Sequence, residues 1–496
     1  MIQPSFEEFK KLARRGNLVA LRSDFPSDLE TPVSSFLKLE AKESGAFLLE
    51  SAEQEERIGR YSFLGFAPES VLSCRDNDLF LKKSGRTKRI GESENLLRVM
   101  KEMFQSYRLA NPESLPPFAG GFVGFLGYEN VHLFESLSLR EKNGLSIEDS
   151  VFFFVKKFLL FDHYKKMLSV IFLCEVNSKK NKELARIYRD AVRQIRKIEA
   201  RLRRNLSRKP EAQIQNARGI LKANLSKKEF EKRLARIKEY IRAGDCIQVV
   251  FSQRFDLGRV RNDFEIYRSL RSINPSPYMF YFRHGSLRLI GTSPELLVKK
   301  TGKVAEVRPI AGTRPRGVTE KADSRLESNL KRSPKEMAEH LMLVDLGRND
   351  LGRVCEFKSV HVGYFARVER YSHVMHLVSD VKGRLLPGKD AFDLLKATFP
   401  AGTVTGAPKI RAMEIINELE PEKRGPYAGC LGYFSLNQDM DMCITIRTIV
   451  VTQGHAYVQS GAGVVYDSNP HREYQETLNK AGALVQAVHG KKGKKL

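Results

Sequence analysis

None of the six cysteines in this 496-residue chain stands in a CxxC pair. Cys74, Cys174, Cys246, Cys355, Cys430 and Cys443 are scattered, and a chain of this length folds without staples. Their spacing excludes a cysteine zinc site and predicts free thiols in a reducing cytoplasm. No apolar run approaches the ~20 residues of a membrane span. The opening MIQPSFEEFKKLARRG is too charged for the apolar part of a secretory signal. Glycine-rich PPFAGGFVGFLGYE (116–129) lacks GxGxxG spacing and has no clear βαβ unit around it. That favours close backbone approach between packed strands over a nucleotide loop. Acidic residues are in deficit, 59 against 84 Lys and Arg, for a formal net charge of +25. Such a field favours anionic partners, from nucleic acid and acidic lipid to small polyanionic substrates, and says nothing about fold.

Residues 1 to about 175 are strand-rich: VFFFVKKFLLF (151–161) and LSVIFLC (168–174) have strand composition, with a turn region between. Leu184, Ile187, Ala191, Ile195, Ile198 and Leu202 recur at helical spacing, which predicts one helix over 180–206. Its other face is basic, with Arg193, Arg196, Lys197, Arg201, Arg203 and Arg204 relieved only by Glu199. No aromatic residues interleave with these charges, so a solvated connecting helix is preferred to a nucleic-acid patch. Residues 207–219 read as a linker. A second unit opens with a Ser226/Glu229 capping box and a helix that Gly244 stops. Strand-like CIQVVFSQRF (246–255), YMFYFR (278–283), RLIG (288–291) and CITIRTIVVT (443–452) follow with irregular helices between. The expected fold is α+β, with mainly antiparallel sheets in a sandwich and helices outside. The expected division is 1–218 (including the basic helix), 219–490, and a basic tail over 491–496.

Two helix starts carry paired carboxylates. In SPKEMAEHLMLVD (333–345), Ser333 suits the N-cap and Pro334 the first turn, with Glu336 and Glu339 three apart. In NPHREYQETLNKA (469–481), Glu473 and Glu476 repeat that spacing, and Lys480 continues the stripe. Glutamates near helix N-termini are also favoured by the macrodipole, and Glu336 falls where a capping-box glutamate belongs. Four carboxylates from two helices could equally meet around a hard cation such as Mg2+, since no cysteine or histidine cluster has zinc spacing. RPIAGTRPRG (308–317) and FPAGTVTGAPK (399–409) are glycine-rich loops with fixed cations. The second fails as a phosphate loop, because the Gly402-to-Gly406 gap is wrong and Pro408 precedes the lysine. AGCLGYF (428–434) has the look of an amidotransferase nucleophile elbow, but a buried small residue on a strand is the better reading of Cys430.

PSPYMF, SPELL, RPIAGTRPRG, KEMAEHLMLVDLGRND, SHVMHLVS, FPAGTVTGAPK, SGAGVV and EYQET occur in this order. Together they resemble the chorismate-binding enzymes, and among them component I of anthranilate synthase. The resemblance is dense from about 224 to 484 and looser from about 46 to 174. It implies a reaction in which chorismate gains ammonia at C2, loses its C4 hydroxyl and then loses pyruvate to give anthranilate. It implies Mg2+ between the two ExxE helices, with Glu339 and Glu476 as direct ligands and Glu336 and Glu473 holding metal-bound water. It places His376 by the reacting carbons, to assist departure of the C4 hydroxyl, and implies that Thr403 is a catalytic residue and substrate contact as well. Arg447 and Tyr427 are implied to hold the enolpyruvyl carboxylate. Gly402, Gly463 and Lys480 are implied to be further substrate contacts.

Two positions argue against sister reactions. Ala311 stands where related aminodeoxychorismate synthases carry a nucleophilic lysine, and Gln248 where isochorismate and salicylate synthases carry a lysine base. The 496 residues leave no room for a glutaminase, so the resemblance implies a separate glutamine amidotransferase subunit in a two-plus-two heterotetramer. It also implies feedback by L-tryptophan at Glu50 and Ser51 of the LLES element, with Met279 and Cys443; neither nucleic acid nor membrane is an expected partner. The chain has no tryptophan of its own. Gly347 and Tyr466 depart from the usual motifs, and Tyr466 raises the question of pocket shape.

Overall fold

The computed structural model describes residues 2–39, 45–52, 59–137, 140–206, 222–371 and 374–490. The expected linker at 207–219 and the tail at 491–496 lie wholly outside them. Among the described residues the strands form a 13-stranded and a 12-stranded sheet, and pairing within both is antiparallel. The inner faces pack on each other through large apolar side chains. Phe47, Phe63, Phe280 and Phe282 of one sheet meet Val123, Phe125, Phe153 and Leu431 of the other. Phe153 stacks on Phe282 at 4.5 Å between ring centroids, and Phe125 meets the same ring edge-on at 6.0 Å. Burial of such rings is the dominant favourable term here.

Both sheets draw strands from either side of residue 218. Gly45–Glu50 pairs with Tyr278–His284, and Gly121–Leu126 pairs with Cys430–Ser435. The glycines of 120–127 make the second pairing possible. A Cβ on Gly121 would lie 2.3 Å from the Phe434 carbonyl oxygen, and one on Gly124 would lie 2.0 Å from that of Val151 on the strand's other neighbour, Ser150–Val155.

Two runs that read as single strands are each divided between the sheets. Within 151–161, Ser150–Val155 belongs to the 12-stranded sheet and Lys157–Asp162 to the other. Lys156 at the crossing is buried, with its ammonium on Glu175 at 2.7 Å. Within 443–452 the chain changes sheets between Met440–Ile444 and Thr448–Thr452, and Arg447 takes a left-handed φ of 50° at the break.

The helices lie outside. Asn181–Leu202 buries Leu184, Ala191, Ile195, Ile198 and Leu202, as its periodicity predicts, and leaves Arg193, Arg196, Lys197, Arg203 and Arg204 exposed. The Ser226/Glu229 capping box forms in both directions. Cys430 is a buried strand residue whose thiol burial pushes up to about 12, far from a nucleophile's range. No described helix is long and apolar enough to cross a membrane.

Candidate active site

Helix Pro334–Gly352 starts as its sequence predicts. The Ser333 hydroxyl caps it, accepting from the Glu336 amide at 3.4 Å. The Glu336 carboxylate does not close a capping box; it turns to Arg314 at 2.9 Å. The helix is anchored by His340, wholly buried, whose Nε2 shares a hydrogen bond with Ser379 Oγ at 2.5 Å. Burial pushes this imidazole down to about 4, so it is neutral and structural. Farther along, Lys409 donates to Asp350 at 2.7 Å, a buried pair that joins this helix to Lys409–Leu419.

The second ExxE helix, Pro470–His489, is capped by Asn469, which accepts from the amides of His471 and Arg472. It is tied to the sheet at Thr477. Gln253 donates to the Thr477 hydroxyl at 2.7 Å, and Ser460 Oγ donates to its carbonyl at 2.8 Å.

These anchors bring both helix starts to one cavity of about 570 Å3 at the end of strands Gln248–Arg259 and His455–Val464. Glu336, Glu339, Glu473, Glu476, His376, Thr403, Tyr427, Arg447, Gly463 and Lys480 all line it. Gly402 instead lines a smaller adjoining cavity that shares Glu295 and Thr403. Tyr466 is 61% exposed and is not part of the lining, so it leaves the pocket's shape alone.

Glu339 accepts from Gln248 Nε2 at 3.0 Å. Burial, with the like charges of Glu336 and Glu476 adding to it, raises its carboxyl above the usual range. Burial and the neighbouring Glu476 do the same to Glu473. Glu476 pairs with Lys480 at 2.6 Å, and Lys480 also donates to the Gly461 carbonyl at 2.9 Å. Among the described residues no three His, Cys, Asp or Glu side chains are drawn together tightly enough to form a closed metal cluster. The four carboxylates are arrayed around the cavity wall, with two of them turned to cations.

Gln248 is 3% exposed, and its Oε1 has no hydrogen-bond partner. A Cβ on Gly463 would come within 2.7 Å of Gln248 Nε2, so only glycine leaves that side chain its place. Arg447 donates Nη1 to the Lys480 carbonyl at 2.7 Å, and no described carboxylate lies within ion-pair distance of it. A cation facing a cavity without an anionic partner is prepared for an anionic ligand, and the guanidinium fork suits a carboxylate. Tyr427, beside it, is held by Arg424, whose guanidinium lies 5.5 Å from the Tyr427 ring centroid. Arg424 also forms a buried two-bond pair with Glu420 and donates to the carbonyls of Val404 and Val250 at 2.7 Å each. One buried cation thereby fixes the 402–404 turn, a strand of the cavity wall and the tyrosine.

His376 Nδ1 lies 2.9 Å from the Gly312 carbonyl and 3.1 Å from the Thr313 hydroxyl. A carbonyl only accepts, so Nδ1 carries the proton and Nε2 keeps its lone pair. Burial holds the imidazole below its ordinary value, an effect the Gly312 carbonyl opposes and Arg447 adds to.

One functional group escaped the sequence reading. Glu295 of the SPELL motif is 7% exposed and lines the cavity. Burial pushes its carboxyl up to about 8, against the opposing effects of Thr403 and Lys480. It is therefore a neutral carboxylic acid at pH 7, able to donate a proton. Spacing gives no hint of this, because one glutamate after Ser-Pro looks like any turn residue. The energetic sign is testable. A pKa raised on folding adds stability that is complete below about pH 4.5 and is lost as pH rises through about 8. Glu295→Gln removes that loss, so its melting temperature should exceed that of the unsubstituted protein at about pH 8.5 and approach it at about pH 5. A lower melting temperature at the higher pH would contradict the assignment.

A second cavity, of about 240 Å3, opens between the sheets. It is lined by Leu49, Glu50, Ser51, Met279 and Cys443, the elements singled out in sequence, together with Arg308 and Asp441. Glu50 is buried, accepts from the Tyr267 hydroxyl at 2.5 Å and pairs with Arg271 at 3.2 Å. Pro294 and Ile310 line both cavities, so the two share a wall.

Comparison with known proteins shows the family. Residues 44–486 match the chorismate binding enzyme family. Anthranilate synthase component 1 of Synechocystis sp. is 45% identical, over 98% of this chain and 99% of its own. That of Aquifex aeolicus is 44% identical, over 98% and 97%. The crystal structure of anthranilate synthase component I from Streptococcus pneumoniae superposes with a TM-score of 0.76 at 36% identity, covering 92% of this chain and 98% of the other. The menaquinone-specific isochorismate synthase of Escherichia coli shares the fold, with a TM-score of 0.71 at 19% identity over 97% and 98%. With the motifs, the sandwich and full-length similarity in agreement, the chain belongs to the chorismate-binding enzymes, in the branch of anthranilate synthase component 1.

Proposed function

We propose that this protein adds ammonia to C2 of chorismate, releases the C4 hydroxyl as water, and eliminates pyruvate to leave anthranilate. The observation that carries the reading is the single cavity in which both ExxE pairs, His376, Tyr427 and Arg447, without a carboxylate partner among the described residues, meet. Aromatisation of the existing ring balances as chorismate plus ammonia giving anthranilate, pyruvate and water.

The donor set fits a hard divalent cation: four carboxylates on two helix starts around one cavity, with neither thiol nor imidazole among them. Glu339 and Glu476 would hold Mg2+ directly, and Glu336 and Glu473 through water. The ion would supply positive charge to the ring carboxylate of chorismate and a fixed template for it. Arg447 and Tyr427 bind the enolpyruvyl carboxylate, the arginine by two parallel hydrogen bonds. Thr403, Gly402, Gly463 and Lys480 shape the remaining contacts. Glu295, kept neutral, donates a proton to the departing C4 hydroxyl, with the Thr403 hydroxyl beside it. His376, whose Nε2 carries no proton to donate, accepts the ring proton lost with pyruvate, in place of the assistance to C4 hydroxyl departure that the resemblance implies. Gln248 is not a base and Ala311 is not a nucleophile, which supports direct addition of ammonia.

Ammonia comes from a separate glutamine amidotransferase subunit in a heterotetramer of two and two, in the cytoplasm. The component 1 designation of the relatives supports a partner. The second cavity takes L-tryptophan as feedback inhibitor, with the buried Glu50 carboxylate near its amine. Glu50→Gln should raise the tryptophan concentration needed for half-inhibition by roughly 10-fold or more, as expected for loss of a charge-assisted hydrogen bond. Unaltered inhibition would remove Glu50 from the pocket's chemistry.

The reaction itself is tested by product counting. With chorismate, Mg2+ and ammonium, anthranilate and pyruvate should appear in equal amounts. Chorismate loss without pyruvate would show that the enzyme stops at 2-amino-2-deoxyisochorismate. Conversion to an aminodeoxychorismate would return the reading to the sister enzymes.

A further inference from the structure

A continuous set of contacts joins the second cavity to His376. Arg308 lines that cavity, and its Nη2 donates to Glu369 Oε1 at 2.6 Å and to the Tyr364 hydroxyl at 3.1 Å. The other oxygen of Glu369 accepts from the Tyr371 hydroxyl at 2.8 Å. The Tyr371 ring lies against the His376 imidazole, with centroids 5.7 Å apart and planes at 60°. The backbone holds these groups in place. Glu369 and His376 are direct partners in the pairing of His361–Arg370 with Val374–Arg384. The Tyr371 amide donates to the Val374 carbonyl at 2.8 Å, and Arg316 donates to the Tyr371 carbonyl at 2.7 Å.

We propose that Arg308, Glu369 and Tyr371 form a relay that positions His376 and carries the effect of a ligand in the second cavity to the reacting groups. The proposal rests on the reading of the two cavities given above. Its physics is competition for one guanidinium. Arg308 is largely buried, with Glu369 as its carboxylate partner. The carboxylate of an amino acid entering the second cavity is a second partner with the same forked geometry. As the guanidinium turns to the ligand, Glu369 loses its compensating charge and shifts on the hydroxyls that already donate to it, Tyr364 at 3.4 Å and Tyr371 at 2.8 Å. The Tyr371 ring cannot follow without changing its contact with the imidazole. The same segment couples the sites along the backbone, because Ile310 lines both cavities and the Gly312 carbonyl holds His376 Nδ1. Glu369 and Tyr371 are positioning residues on this account, since neither lines the cavity. Linkage makes the coupling reciprocal, so chorismate must weaken effector binding by the factor by which the effector weakens chorismate binding.

Tyr371→Phe keeps the ring and removes its bond to Glu369; Glu369→Gln keeps the shape and removes the charge. Both are measured for kcat, KM for chorismate, residual turnover at saturating tryptophan, and calorimetric tryptophan affinity. The expected result is a kcat lowered about threefold or more with KM nearly unchanged, as for interactions that act only on the reacting state. Tryptophan affinity should stay within about threefold, while inhibition at saturating tryptophan weakens about tenfold, within the usual span of allosteric coupling. Variants that keep full inhibition and unaltered kcat would overturn the relay, as would loss of inhibition explained wholly by loss of tryptophan binding. If the unsubstituted protein binds no tryptophan, the reading of the second cavity fails and the effector half of the relay with it. The kcat and KM values then decide the positioning half independently.

Discussion

Glu339→Gln is expected to lower anthranilate formation on the order of 10²–10³-fold, the effect of removing one fixed electrostatic contact to a reacting system. The glutamine keeps the shape and the capacity to meet Gln248, so the fold has no reason to change. It removes one of four carboxylates that face one another across the cavity. Those carboxylates are costly in isolation. Glu339 and Glu473 are both raised by burial and by like neighbours, which is the mark of charges gathered for a ligand rather than for stability. The same variant should therefore melt no lower than the unsubstituted protein in EDTA, and should lose the stabilisation that Mg2+ gives the latter. A variant with full activity, or a Mg2+-dependent melting shift that survives the substitution, would remove Glu339 from the metal site.

His376→Gln is expected to cost roughly 10²–10⁴-fold in turnover, the usual range for a general acid or base. The pH dependence identifies its role. Burial holds His376 below 6.5, so its accepting form persists to lower pH than an exposed histidine allows and is lost as pH falls through that depressed value. Glu295 acts from the opposite side, because its donating form is lost as pH rises through about 8. At a constant concentration of free ammonia, kcat should trace a bell whose acid limb lies below about pH 6.5 and whose alkaline limb lies near pH 8. His376→Gln should abolish the acid limb and leave the alkaline one, and Glu295→Gln the reverse. Two unchanged limbs in either variant would contradict the assignment.

Much of this site is readable from the chain because its parts are local. Ser333-Pro334 and Asn469-Pro470 announce helix starts, and the carboxylates follow at fixed offsets within one turn. What spacing cannot show is convergence. The two helices meet because Gln253 and Ser460 hold Thr477, and because His340 is buried against Ser379, contacts between residues far apart in sequence. Strand composition finds the sheets but misses where the chain changes between them. VFFFVKKFLLF and CITIRTIVVT are apolar or β-branched except at Lys156, Lys157 and Arg447, and composition reads those charges as outward positions of one strand although they stand at the crossings. The second crossing matters for function, since the left-handed break is what turns Arg447 into the cavity. Glu295 and the Arg424–Glu420 pair were illegible for another reason. Their significance lies in burial, and burial belongs to the fold rather than to the residue. The capping role open to Glu336 shows the reverse case, a local signal overruled by Arg314 from strand Ile310–Pro315.

The central claim is that one metal-dependent cavity carries the whole reaction from chorismate to anthranilate. The most direct test follows anthranilate fluorescence from the purified chain with chorismate and ammonium, first in EDTA and then after Mg2+ is added in excess. The background is favourable, because the chain contains no tryptophan. The account predicts no signal in EDTA, and a linear rise on Mg2+ addition matched mole for mole by pyruvate. A rise that is equally fast in EDTA, or no product under either condition, would contradict it.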